Sequence, residues 1–111
     1  MTVDEYQKSA ARTINYRLSR NEQEMHALHL LASEVGEIHG IYQKTYQGHD
    51  FCDKELAKEV GDLMWGIAEL CTALGWSMSE VCRMNIEKLK KRYPEGFDEE
   101  RSIHRDERNE G

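Results

Sequence analysis

Leu31-Ala32-Ser33-Glu34-Val35-Gly36-Glu37-Ile38 recurs 25 residues later as Leu56-Ala57-Lys58-Glu59-Val60-Gly61-Asp62-Leu63. Two copies are too few for a stacked array, so the repeat reads as a pair of similar helices rather than a solenoid. Around the first copy, Leu28, Leu31, Val35, Ile38 and Tyr42 follow one another at spacings of three and four. Around the second, Leu56, Val60, Leu63, Ile67, Leu70 and Leu74 form an unbroken stripe with the same period. That period is helical and leaves no place for a strand. Glycine inside a helix costs about 1 kcal/mol against alanine, so Gly36 and Gly61 are expected where a neighbouring backbone or a ligand comes close.

The flanking sequence extends this reading. Thr2-Val3-Asp4-Glu5 has the form of a capping box and opens a short helix through Val3, Tyr6, Ala10 and Ile14. Asn21-Glu22-Gln23-Glu24 resembles a second cap, and the helix after it is expected to run to about Thr45. Residues 46–52, with Gly48 and Asp50, read as a loop, and Gly75 as the end of the third helix. Ser77-Met78-Ser79-Glu80 is a third capping box, and the helix it opens, through Val81, Met84 and Leu89, must stop before Pro94. The expected fold is an all-α antiparallel helical bundle. One domain is expected over residues 1–97, followed by a polar, irregular tail over 98–111.

Composition narrows the partners. A chain of 111 residues fits one domain, at a size where association with further copies adds stability. The net charge of −6, with lysine and arginine clustered from Arg83 onward, argues against binding a nucleic-acid polymer and leaves room for a small anionic ligand. Cys52, Cys71 and Cys82 are odd in number and lack CxxC spacing, which suggests neither a disulfide framework nor a zinc site. There is no basic-then-apolar leader at Met1 and no apolar run of the roughly 18 residues a membrane span needs. A cytoplasmic protein without membrane attachment is therefore expected.

The carboxylates carry the chemistry. In each copy of the repeat two acids stand three positions apart, which projects them from one side of a helix about a turn apart. Leu30, Glu34, Glu37 and Ile41 form one row at spacings of four, three and four, so Glu34 and Glu37 are expected to face inward. Glu59 and Asp62 border the apolar stripe beside Leu63. A lone ExxE on a helix is ordinarily a solvated surface feature. Its repetition in equivalent contexts changes that weighting. If the four acids converge, each pair at ~5 Å repels by about 3 kcal/mol at an effective dielectric of ~20, and several such pairs rival a domain's whole stability of ~5–15 kcal/mol. Cations must neutralise them, and an all-oxygen donor set suits magnesium, or manganese, rather than zinc or copper.

The order and spacing of these motifs resembles the MazG-like family of all-helical nucleoside triphosphate pyrophosphohydrolases. The family's ExxE followed at a distance by ExxD matches Glu34, Glu37, Glu59 and Asp62. Glu5-Tyr6-Gln7 with Ala11-Arg12-Thr13, and Asn85-Ile86-Glu87-Lys88-Leu89 with Arg92-Tyr93-Pro94-Glu95-Gly96-Phe97, extend the similarity over nearly the whole chain. The resemblance implies that the four acids bind Mg2+, that the ions hold a nucleoside triphosphate, and that water attacks the α-phosphorus to release pyrophosphate. It also implies a homodimer or homotetramer in which helices of more than one subunit complete a four-helix core. Some relatives carry an additional glutamate directly before the first ExxE, where this chain has Ser33. That departure leaves the general base open between metal-activated water and one of the four acids.

Six further residues are candidates for substrate contact. Asn85, Lys88 and Arg92 fall at spacings of three and four and could meet phosphate oxygens, or could form an ordinary basic face near a helix C-terminus. Lys44 and Lys54 flank the loop between the two acid pairs. Trp65 follows Asp62 by three positions, where an indole could stack on a nucleobase or fill a core or subunit contact. His26 and His29 share a helical face without a convincing third metal ligand and are read as non-catalytic. A di-iron carboxylate bundle is disfavoured because its Glu-x-x-His pairs are absent from the sequence. A non-catalytic helical dimer that binds a nucleotide or another protein is the alternative from a different class.

Overall fold

Thr2 begins the first helix as its sequence requires: its hydroxyl accepts from the Glu5 amide at 3.1 Å, and the Glu5 carboxylate accepts from the Thr2 amide at 3.0 Å. The computed structural model describes residues 1–104 and divides the chain into two units, Met1–Ser77 and Met78–Gly111. The first unit holds α1 (Val3–Ala11), α2 (Arg20–Thr45) and α3 (Asp53–Leu74). The second holds α4 (Met78–Arg92) and α5 (Glu99–Ile103). The described residues form no strand, and the fold is all-α as expected.

Three boundaries differ from expectation. α1 ends at Ala11 rather than reaching Ile14. Beyond it, the Asn15 side chain accepts from the Arg17 amide at 3.1 Å, the local hydrogen bond by which asparagine competes with helix. α2 is capped by Ser19 rather than by Asn21, because Glu22 stands three positions after Ser19 and completes the reciprocal pair of hydrogen bonds. In the segment expected to be irregular, Asp98 accepts from the Glu100 amide and starts the short helix α5. Residues 105–111 of the expected tail lie outside the described residues.

α2 and α3 form an antiparallel hairpin. α2 closes with Gly48 in the left-handed region at φ 92° and the His49 amide reaching back to the Lys44 carbonyl at 3.1 Å. α3 closes in the same way, with Gly75 at φ 73° and the Trp76 amide on the Cys71 carbonyl at 2.8 Å. Only glycine adopts such a conformation without strain. The buried apolar side chains of this unit are mostly small: Ala10, Ala27, Ala68, Cys71 and Ala73, with Ile14. Small side chains let helix axes approach, and α2 packs tightly on Gly66, where an added Cβ would lie 2.8 Å from Leu31 Cδ2. Gly36 and Gly61, expected where a neighbouring backbone or a ligand comes close, have no protein atom within 4 Å of that position.

The row of α2 against α3 runs through Gln23, Ala27, Leu30, Glu34, Ile38 and Ile41, each buried or half-buried. Leu28, Val35 and Tyr42 of the expected stripe are instead 44%, 45% and 47% exposed, seven residues apart on one apolar line, and Tyr42 meets the Phe51 ring at 5.3 Å. In the second unit, Arg83 pairs with Glu80 and Glu87 along the surface of α4. These are exposed contacts within one helix and contribute little to stability.

Candidate metal centre

The hairpin register brings the two halves of the repeat together. Glu34 of α2 faces Glu59 and Asp62 of α3, and one carboxylate oxygen from each lies within 4.8 Å of the others. Glu34 and Glu59 are half-buried, and Asp62 is exposed. Glu34 Oε2 is fully buried and has no hydrogen-bond partner. A hydrogen bond shared with Glu59 pushes the Glu34 carboxyl up to about 7. Burial and the charges of Glu59, Asp62 and Glu37 act in the same direction. The neighbouring charges that act on Glu34 are all negative. One carboxylate oxygen each from Glu34, Glu59 and Asp62 makes a donor set that fits a hard divalent cation, and Glu34 carries the unpartnered buried oxygen beside it.

Glu37 departs from the expected inward position. It is exposed and stands outside the three-oxygen group, although its charge still acts on Glu34. The reason lies in the rotation of α2: Ile38 takes the place against α3, and Glu37 turns to the edge of the contact. α1 adds Tyr6, which the sequence placed on an apolar face and in the Glu5-Tyr6-Gln7 motif without a role in the site. Burial, and then the charge of Asp62, push the Tyr6 phenol above its ordinary value.

The remaining candidates are spread more widely. Trp65 is half-buried, its indole N–H donates to Thr13 Oγ1 at 2.8 Å, and its ring meets His26 edge-on. Lys44 and Lys54 are exposed at the loop end of the hairpin, and Lys44 is ten residues beyond Glu34, ~15 Å along the helix axis. Asn85, Lys88 and Arg92 lie on α4 in the second unit, the first exposed and the others half-buried.

Sequence reading missed Glu69. Its side chain is wholly buried, and His26 Nδ1 lies 2.7 Å from Oε1 and 3.0 Å from Oε2. A signal was present: Glu69 is the one charged residue between Leu63 and Trp76. A lone acid in an apolar stretch asks for a partner, and His26 on the facing helix supplies it.

Residues 22–97 match the family model described as the MazG nucleotide pyrophosphohydrolase domain. The chain belongs to this family. The match contains all four repeated acids and His26, Trp65 and Glu69, and begins after α1. No match was found among curated proteins or solved structures. MazG membership places the chain among nucleotide pyrophosphohydrolases and accords with an acidic cluster of the kind metal-dependent hydrolysis needs. Among the described residues, no helix is long and apolar enough to cross a membrane.

Proposed function

We propose that this MazG chain hydrolyses a nucleoside triphosphate to the monophosphate and pyrophosphate, with Mg2+ held by Glu34, Glu59 and Asp62. The observation that carries the proposal is the buried, unpartnered Oε2 of Glu34 beside two further carboxylates. When bound, the ion neutralises these acids and the phosphates together and makes a nearby water more acidic. Manganese is the alternative occupant of the same oxygens.

The chain's own residues then have separable tasks. Glu34, Glu59 and Asp62 orient the α-phosphate by fixing the charge it meets. Water attacks the α-phosphorus, the bond from that phosphorus to the bridging oxygen breaks, and pyrophosphate leaves with the electron pair. The proton of the attacking water passes to a carboxylate. Glu37 is the repeated acid not committed to the three-oxygen group, and it takes this role in place of the glutamate that Ser33 replaces. Trp65 offers a flat apolar surface near the nucleoside. Lys44, Lys54, Asn85, Lys88 and Arg92 are assigned to the phosphate tail on their charge and hydrogen-bonding capacity alone.

Incubation with a panel of ribo- and deoxynucleoside triphosphates, with magnesium and with chelator, tests the reaction. Pyrophosphate and monophosphate should form with magnesium only. Orthophosphate as the first product would refute the mechanism. The exposed line of Leu28, Val35 and Tyr42 further supports a homodimer or homotetramer, since a second copy would cover it. Light scattering should give at least twice the 13.0 kDa chain mass, and Val35→Glu should lower it. A fully active monomer would exclude this assembly.

A further inference from the structure

The pair His26–Glu69 belongs to no part of the reaction above. Glu69 is the largest side chain in the described residues that is fully buried, and a carboxylate removed from water is destabilising unless a donor meets it. His26 Nδ1 meets both of its oxygens, at 2.7 and 3.0 Å. A carboxylate accepts, so Nδ1 donates, and the imidazole is held in one orientation. Yet the His26 side chain is 49% exposed. With Nδ1 turned to the buried acid, the edge left toward solvent is that of Nε2, which has no hydrogen-bond partner among the described residues.

Trp65 fixes the second wall. Its centroid is 6.4 Å from that of His26 and the planes meet at 90°, while Thr13 takes the indole N–H. Both rings therefore have one nitrogen tied down and are locked at right angles. A free polar atom on a rigidly held ring, beside an anchored indole, suits recognition of a flat heterocycle by stacking and by its hydrogen-bonding edge.

The hairpin sets the distance from the acids. Glu34 opposes Glu59 and Asp62, Leu31 opposes Gly66, and His26 opposes Glu69, so the pair lies on the same helix–helix seam as the carboxylates. Asp62 to Glu69 is seven residues and Glu34 to His26 is eight, ~10–12 Å along the axes. That exceeds the span of a triphosphate measured from its α-phosphorus, and it suits the reach from that phosphorus across the sugar to the base.

We infer that His26, held by Glu69 and set against Trp65, contacts the base edge of the substrate through Nε2 and determines which nucleotides are accepted. The inference rests on the pyrophosphohydrolase reading and adds to it the element that selects among bases.

The test compares kcat/KM for nucleoside triphosphates bearing the four bases in the unmodified chain and in His26→Gln, whose amide can still donate to Glu69. The unmodified chain should show a clear spread among bases. His26→Gln should compress that spread roughly tenfold, the worth of one well-placed hydrogen bond, while the magnesium-dependent rise in melting temperature persists. No spread in the unmodified chain, or an equal loss for every base with the spread intact, would overturn the inference. The equal loss would mean that the pair only fastens α2 to α3.

A second arm does not depend on turnover. The imidazole NMR signals of His26, identified by their absence in His26→Gln, should move on adding a nucleoside monophosphate and stay in place on adding inorganic pyrophosphate. Equal or absent shifts would overturn the inference. If no triphosphate is hydrolysed while the monophosphate still moves His26, the pyrophosphohydrolase reading fails and the base contact stands.

Discussion

Two places on the same hairpin seam put carboxylates out of full contact with water, and they solve the electrostatic problem differently. At Glu69 the buried acid is met by His26 from the facing helix, and the pair is complete within the chain. At Glu34 the buried oxygen has no partner, and the neighbours Glu59 and Asp62 add charge of the same sign. Burial of an acid is thus not itself the mark of a ligand site. The mark is a buried acid whose compensation the chain does not provide, because the missing charge must come from outside.

The largest effects that sharpen this contrast come from removing acids at the uncompensated end. Asp62→Asn should lower pyrophosphate release by at least about a hundredfold and remove the stabilisation by magnesium, with the helical circular dichroism retained. Glu37→Gln should lose comparable activity but keep the magnesium response, since Glu37 lies outside the three-oxygen group. His26→Gln should leave that response in place as well. If Asp62→Asn and Glu37→Gln both hydrolysed substrate at near-normal rates, the assignment of the acids would fail.

A smaller effect concerns acidity in the metal-free protein. The Glu34 carboxyl rises from an ordinary 4.5 to about 7 on folding, so folding favours its protonated form. Its contribution to stability is present in full below pH ~4.5 and is lost as pH rises through about 7. In chelator, the melting temperature of the unmodified chain minus that of Glu34→Gln should fall between pH 5 and pH 8. Magnesium competes with that proton, so its affinity should rise over the same interval. A pH-independent difference would show that Glu34 is not held among like charges.

Much of this was legible in the sequence. The capping box at Thr2 and Glu5, the glycine stop at Gly75 and the period of the apolar residues located the helices, because each depends on neighbours within a turn or two. The repeat likewise pointed to four acids, Glu34, Glu37, Glu59 and Asp62, of which the structure brings Glu34, Glu59 and Asp62 together. What failed depended on helix rotation and register. Glu37 was expected inward with Glu34, but it is exposed while the next residue, Ile38, is half-buried, a one-residue difference decided by packing against α3. The meeting of His26 with Glu69 spans 43 positions and follows only once the hairpin register is known. Leu28, Val35 and Tyr42 share the apolar period of α2 with Leu31 and Ile38 yet are exposed, because periodicity marks an apolar face without saying whether the chain itself covers it.

The most direct test of the uncompensated acids as a cation site is a magnesium titration of the melting temperature near pH 8, run beside Asp62→Asn. An ion that binds the native state and not the unfolded chain stabilises it by mass action, by about 2.7 kcal/mol at a hundred times the dissociation constant. The melting temperature of the unmodified chain should rise by several degrees and saturate, while Asp62→Asn stays flat. An unmodified chain whose melting temperature does not change across a wide range of magnesium would contradict the account.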